Sequence, residues 1–109
     1  MENLISEIKR IANQNPQGFT ISLPNLEHVK SGWIVALKET QNSFGDEGLK
    51  KVIETSLNTS QKLGGWKEGK DFYWDTVITF DTKEDAIRAG IENGQIAIYH
   101  IETASLIYL

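Results

Sequence analysis

The sequence predicts a single α+β domain over residues 1–109: element order αββαβαββ, about five mainly antiparallel strands, and three helices packed chiefly on one face. Three observations predict it. Apolar residues switch repeatedly between helical and strand spacing along the chain. Helix caps and left-handed stops stand at the junctions of the C-terminal half. No linker, internal repeat or low-complexity tract interrupts the chain.

Leu4, Ile5, Ile8, Ile11 and Ala12 recur at three- and four-residue spacing, which predicts an amphipathic helix of about three turns ending before Asn15-Pro16. Phe19, Ile21 and Leu23 alternate with Thr20 and Ser22 as a strand with one wet face, closed by Pro24. Trp33 to Leu37 is apolar on both faces and predicts an interior strand, with a hairpin to the first strand across Asn25 to Gly32 as one option. A second helix is expected from near Ser43, its cap, with Asp46 and Glu47 in the first turn; it would bury Leu49, Val52, Ile53 and Leu57 before Gly64 stops it.

Gly64-Gly65 and Lys67-Glu68-Gly69-Lys70 bracket Trp66 like two turns, which casts Trp66 as a lid residue. In the strand that follows, Phe72, Trp74, Thr76, Ile78 and Phe80 point to the core while Tyr73, Asp75, Val77 and Thr79 point the other way. Thr82 and Asp85 resemble a capping box for a third helix with Ala86, Ile87, Gly90 and Ile91 on its buried stripe. Gly90 costs about 1 kcal/mol in mid-helix relative to alanine, so close approach to the sheet is its expected use. Asn93-Gly94 ends that helix, and Ile96–Ile101 and Ser105–Leu109 form a closing hairpin.

The chain has no cysteine, which excludes disulfides and thiolate metal sites. Met1 to Asn15 has no apolar run of signal-peptide length and no segment approaches a membrane span, so a cytoplasmic location in the host cell and no membrane contact are expected. Residues 1–63 hold seven bases and seven acids, whereas 64–109 hold four bases and eight acids, so the net charge of −4 falls entirely in the second segment. That segment should repel nucleic acid and attract basic partners, unless Asp81, Glu84 and Asp85 serve only a helix N-terminus.

The chemistry-bearing residues are sparse. Only His28 and His100 are available as histidine bases; His28 reads as a solvated loop residue and His100 as a half-buried strand residue bonded to a backbone carbonyl. No spacing of His, Asp and Glu suits a metal, no cofactor is indicated, and no nucleophile, base and orienting group assemble, so the chain reads as a non-enzyme. Asp75 interrupts an aromatic strand; it is either a solvated residue on an outer surface or, if that face is covered, a carboxylate needing a partner or a raised pKa. The run Lys38 to Ser43 joins a strand to a helix start but lacks a glycine-rich phosphate cradle, and the basic residues are too scattered for direct nucleic-acid binding.

Gly64-Gly65-Trp66, Asp75, Glu84-Asp85-Ala86 and Asn93-Gly94-Gln95-Ile96-Ala97-Ile98, with Gly18-Phe19-Thr20 and Glu39 to Ser43 upstream, resemble a pattern in a loose group of small proteins from phages, prophages and conjugative elements. The group offers no catalytic residues to carry over. The resemblance implies a binding protein of a mobile element, including one that blocks a host defence nuclease of CRISPR or other type. The expected contact surface is then the acidic, aromatic C-terminal half, with Trp66, Asp71, Tyr73, Asp75, Glu84 and Asp85 against a basic protein surface. The alternatives are a small-molecule or nucleotide binder, with Trp66, Tyr73 or Trp74 stacking on a ring and Gln41, Asn42 or Gln95 hydrogen bonding, and a structural homodimer paired through the C-terminal strand.

Overall fold

A computed structural model describes residues 2–109. The elements run α1 (Glu2–Gln14), β1 (Phe19–Ser22), β2 (Trp33–Ala36), β3 (Ser43–Phe44), α2 (Gly45–Leu57), β4 (Lys62–Glu68), β5 (Asp71–Phe80), α3 (Lys83–Glu92), β6 (Ala97–His100) and β7 (Ser105–Tyr108), with a 3-10 turn at Lys38–Thr40. The fold is α+β, as expected, with one sheet in the order β1-β4-β5-β2-β6-β7 and β3 joined to β5. Every pairing is antiparallel.

The sheet has seven strands rather than about five, and β4 is the consequential addition. Its Leu-Gly-Gly-Trp sequence reads locally as a turn, yet it pairs with β1 on one side and β5 on the other. Glycine is poor in strands for want of a side chain to pack. Here the missing side chain is used: a Cβ at Gly65 would lie 2.8 Å from the Phe19 ring and 2.9 Å from Trp74 Cε3. The tight hairpin of the fold is therefore β4–β5 across Gly69-Lys70, and the β1–β2 hairpin does not form because β2 lies between β5 and β6.

Two further boundaries differ. Phe44, not Ser43, precedes α2, and the Ser43 hydroxyl instead donates to the Thr40 carbonyl at 2.8 Å. The helix ends at Leu57 with Asn58 as its cap, before Gly64 is reached, and leaves Leu57 exposed while burying Ser56. The α3 caps hold: Asp85 N–H donates to Thr82 Oγ1 at 3.3 Å, and Gly94 at φ +64 follows the cap Asn93. Of its expected buried stripe, Ala86 and Gly90 are buried and Ile87 half-buried, whereas Ile91 turns away from the sheet and is 64% exposed.

All three helices cover one face of the sheet. Ile8 and Ala12 of α1 and Leu49, Val52 and Ile53 of α2 pack with Ile21, Leu63 and Trp74; α3 forms a second cluster in which Ala86 meets Val35 and Ile98. No helix among the described residues is long and apolar enough to cross a membrane. Among the described residues no helix lies over the opposite sheet face.

Candidate functional site

Strand alternation sends Trp74 and Thr76 into the helical layer, so Asp71, Tyr73, Asp75 and Val77 face the open side. Asp75 stands opposite Gly64 of β4, and Val77 stands opposite Ala36 of β2. A glycine and an alanine flanking an acid leave a hollow in the middle of the face. The β1 side is raised by Thr20 and by His28-Val29, a segment that hydrogen bonds along the outer edge of β1. Tyr99 and Leu106 of the closing hairpin rise on the other side. The result is a groove of about 810 Å³, within the range of small-ligand sites.

Asp75 and the exposed His28 are the acid–base side chains lining this groove, beside Asn15, Gln17, Thr20 and Gln95. Burial raises the Asp75 carboxyl from the usual 3.8 to about 7, and neither a hydrogen bond nor a nearby charge offsets it. Of the two readings open for Asp75, the geometry favours the enclosed carboxyl with a raised pKa, held in the hollow of an otherwise open face. The group is half-buried, so water and solute reach it from one side.

Trp66 lines the same groove and stacks on Tyr73, with ring centroids 5.8 Å apart, and Tyr73 meets Phe44 at 5.5 Å. Three aromatics from β4, β5 and β3 thus make a shelf at one end of the open face. Trp66 is a strand residue in that shelf, which corrects its reading as a lid between turns.

The other expected residues do not gather. Trp74 is only 3% exposed and donates its indole N–H to the Gly45 carbonyl at 3.0 Å; it belongs to the core and cannot stack on a ligand. Gln41 and Asn42 line a separate shallow hollow with Phe44 and Lys51 at the start of α2, away from Gln95. Glu84 and Asp85 lie in the first turn of α3, in the helical layer, where Asp85 pairs with Arg88 at 3.3 Å. The acidic residues of the C-terminal half therefore occupy two faces: Glu84 and Asp85 lie in the helical layer, whereas Asp71, Asp75 and Glu68, which stands opposite Asp71, share the open one.

His100 is half-buried as expected but bonds differently. Its ring stacks on Trp33 at 4.2 Å, Nδ1 lies 2.8 Å from Thr103 Oγ1, and Nε2 lies 3.2 Å from Glu102. Among the described residues no group of three or more His, Asp and Glu gathers as a metal site would need.

Sequence reasoning named Asp75, Trp66, Tyr73 and Gln95 but missed Gly64, Thr20, Phe44 and His28 as their neighbours. Those four become neighbours only through β3, β4 and the edge segment, none of which has a strong local pattern. Comparison with protein-family models, with curated proteins and with solved structures finds no match to this chain.

Proposed function

We propose that this is a non-enzymatic binding protein of a phage or mobile element that grips a partner protein through the open sheet face, with a basic side chain of the partner entering beside Asp75. The carrying observation is a half-buried carboxylate, without an internal partner, at the floor of a groove whose other walls are mainly apolar and aromatic. An incoming cation recovers the cost of burying that carboxylate, while the aromatic shelf supplies contact area. The net −4 carried by residues 64–109 and the mobile-element resemblance support the same reading. In such an element the partner is a host defence nuclease, whose nucleic-acid surface offers exposed lysines and arginines.

Affinity capture from a host lysate tests it through a pair of charge reversals. Asp75→Lys should release a stoichiometric, salt-sensitive partner, while Glu84→Lys/Asp85→Lys on the other face should retain it. Retention by Asp75→Lys, or equal loss from both variants, would remove the groove from the mechanism.

The groove's volume, with Trp66 on its wall and Gln95 at its end, supports a second reading as a nucleotide or small-amine site. Tryptophan fluorescence titrated with nucleotides and amines tests it, and a flat response to all of them would dismiss it.

A further inference from the structure

The two edges of the sheet are treated differently by this chain. On the β1 edge, Ser22 N–H donates to the Glu27 carbonyl and Val29 N–H donates to the Thr20 carbonyl, so the chain covers its own strand. At the β7 edge nothing among the described residues pairs with the outer side of the strand. Natural sheets blunt a bare edge with charge, proline, a bulge or a covering loop. Ser105–Tyr108 has none of these: it reads Ser-Leu-Ile-Tyr, and Leu106 and Tyr108 are 54% and 72% exposed.

The register shows which backbone groups are free. Leu109 N–H donates to the Ile96 carbonyl at 2.9 Å, and β7 runs against β6 with Ile107 opposite Ile98. In an antiparallel pair hydrogen-bonded positions alternate, so Ser105, Ile107 and Leu109 direct their backbone groups to β6. Leu106 and Tyr108 direct theirs outward.

We propose that β7 pairs antiparallel with β7 of a second copy, joining two sheets across a two-fold axis at Ile107. The free groups are self-complementary in that register. Leu106 N–H and carbonyl meet the carbonyl and N–H of Tyr108 in the second copy, and the symmetric exchange supplies the other two bonds. No charge opposes its copy across the seam. Leu106 lines the Asp75 groove, so Tyr108 of the second copy completes the groove's outer rim on the open face. This pairing is independent of the partner proposed for the groove.

Sedimentation over a concentration series, with two edge variants, tests the proposal. The wild-type chain should pass from monomer to dimer. Tyr108→Pro removes only the outward N–H, and proline is tolerated at such a position, so its fold should survive by circular dichroism and thermal melting. Its dimerisation midpoint should rise at least about tenfold, since two symmetry-related hydrogen bonds are lost. Leu106→Lys should act alike. Ile107→Cys gives an independent reading: the two Ile107 positions face each other across the axis at a non-hydrogen-bonded pair, about 4.5 Å between Cα atoms, which suits a disulfide. In a chain without other cysteine, oxidation should yield a covalent dimer, and Ser105→Cys should not. A wild type that stays monomeric throughout, an unchanged midpoint in Tyr108→Pro, or equal cross-linking at 105 and 107 would each overturn it.

Discussion

The hydroxyls of Ser56 and Thr76 lie 2.7 Å apart, both fully buried, and tie α2 to the middle of β5. Thr76 Oγ1 also reaches the Val52 carbonyl at 3.3 Å, and Thr76 N–H donates to Thr40 Oγ1 at 2.9 Å. Every member of this polar cluster is bonded inside an otherwise apolar layer. Asp75 is adjacent in sequence to Thr76, so the same cluster sets the floor of the groove.

Thr76→Val should therefore destabilise by about 1–3 kcal/mol, because it strands the Ser56 hydroxyl without water. Ser56→Ala in the same background should return part of that loss, since removing both partners costs less than removing one. Urea denaturation of the two single variants and the double variant measures it, and simple additivity would show that the pair does not interact.

The raised Asp75 pKa makes a signed prediction about pH. The folded state holds the proton between pH 3.8 and about 7 where the unfolded chain has released it. Stability contributed by the neutral form is thus lost as pH rises through that window. Asp75→Asn should flatten this dependence and stabilise the protein above pH 7. One pKa unit is about 1.4 kcal/mol, so the shift caps the gain near 4 kcal/mol, and water at the groove mouth brings the expectation to about 1–3 kcal/mol. Thermal melts of both proteins across the window measure it. Binding of a basic partner should strengthen with pH over the same range, because only the ionised carboxylate attracts a cation.

Glu102 has the opposite sign. The Gly32 N–H, donating at 2.8 Å, holds its carboxyl below the usual range, with its own backbone N–H and then His100 adding to the effect. This contribution is present above the ordinary carboxylate pKa and fades as pH falls through the lowered one. Glu102→Gln should be less stable than wild type at about pH 6, and the difference should shrink towards about pH 3. A melting-temperature gap that does not change with pH would assign the role to shape instead of charge.

Gly90→Ala sets helix propensity against packing. Alanine gains about 1 kcal/mol in a helix interior, but its Cβ would lie 2.6 Å from Leu109 Cδ1 and 2.9 Å from Ile98 Cγ2. Overpacking costs about 1–3 kcal/mol, and Ile98 is 1% exposed with nowhere to retreat. A net loss of about 1–2 kcal/mol is expected, reduced when Leu109→Ala is added, as denaturant midpoints will show. A more stable Gly90→Ala would mean that the Leu109 tip simply swings aside.

The sequence by itself determined the α+β class, α1, the long β5 strand with its two faces, the capped α3 and the closing hairpin. Each of these is specified by local periodicity or by a junction residue whose backbone geometry is demanded on the spot: Ile8 and Ala12 on one stripe, Thr82 before α3, Gly94 after it. Tertiary structure decided the rest. Gly64-Gly65 become strand only because β1 and β5 flank them. The alternation of β5 already set Trp74 apart from Asp75, but Asp75 acquires its raised pKa because Gly64 and Ala36 leave it in a hollow walled by strands distant in the chain. Burial and register are properties of pairing partners, and a chain cannot express them residue by residue. For the same reason the acids counted together in the second segment divide between two faces, and the functional surface was legible only as a list of candidates.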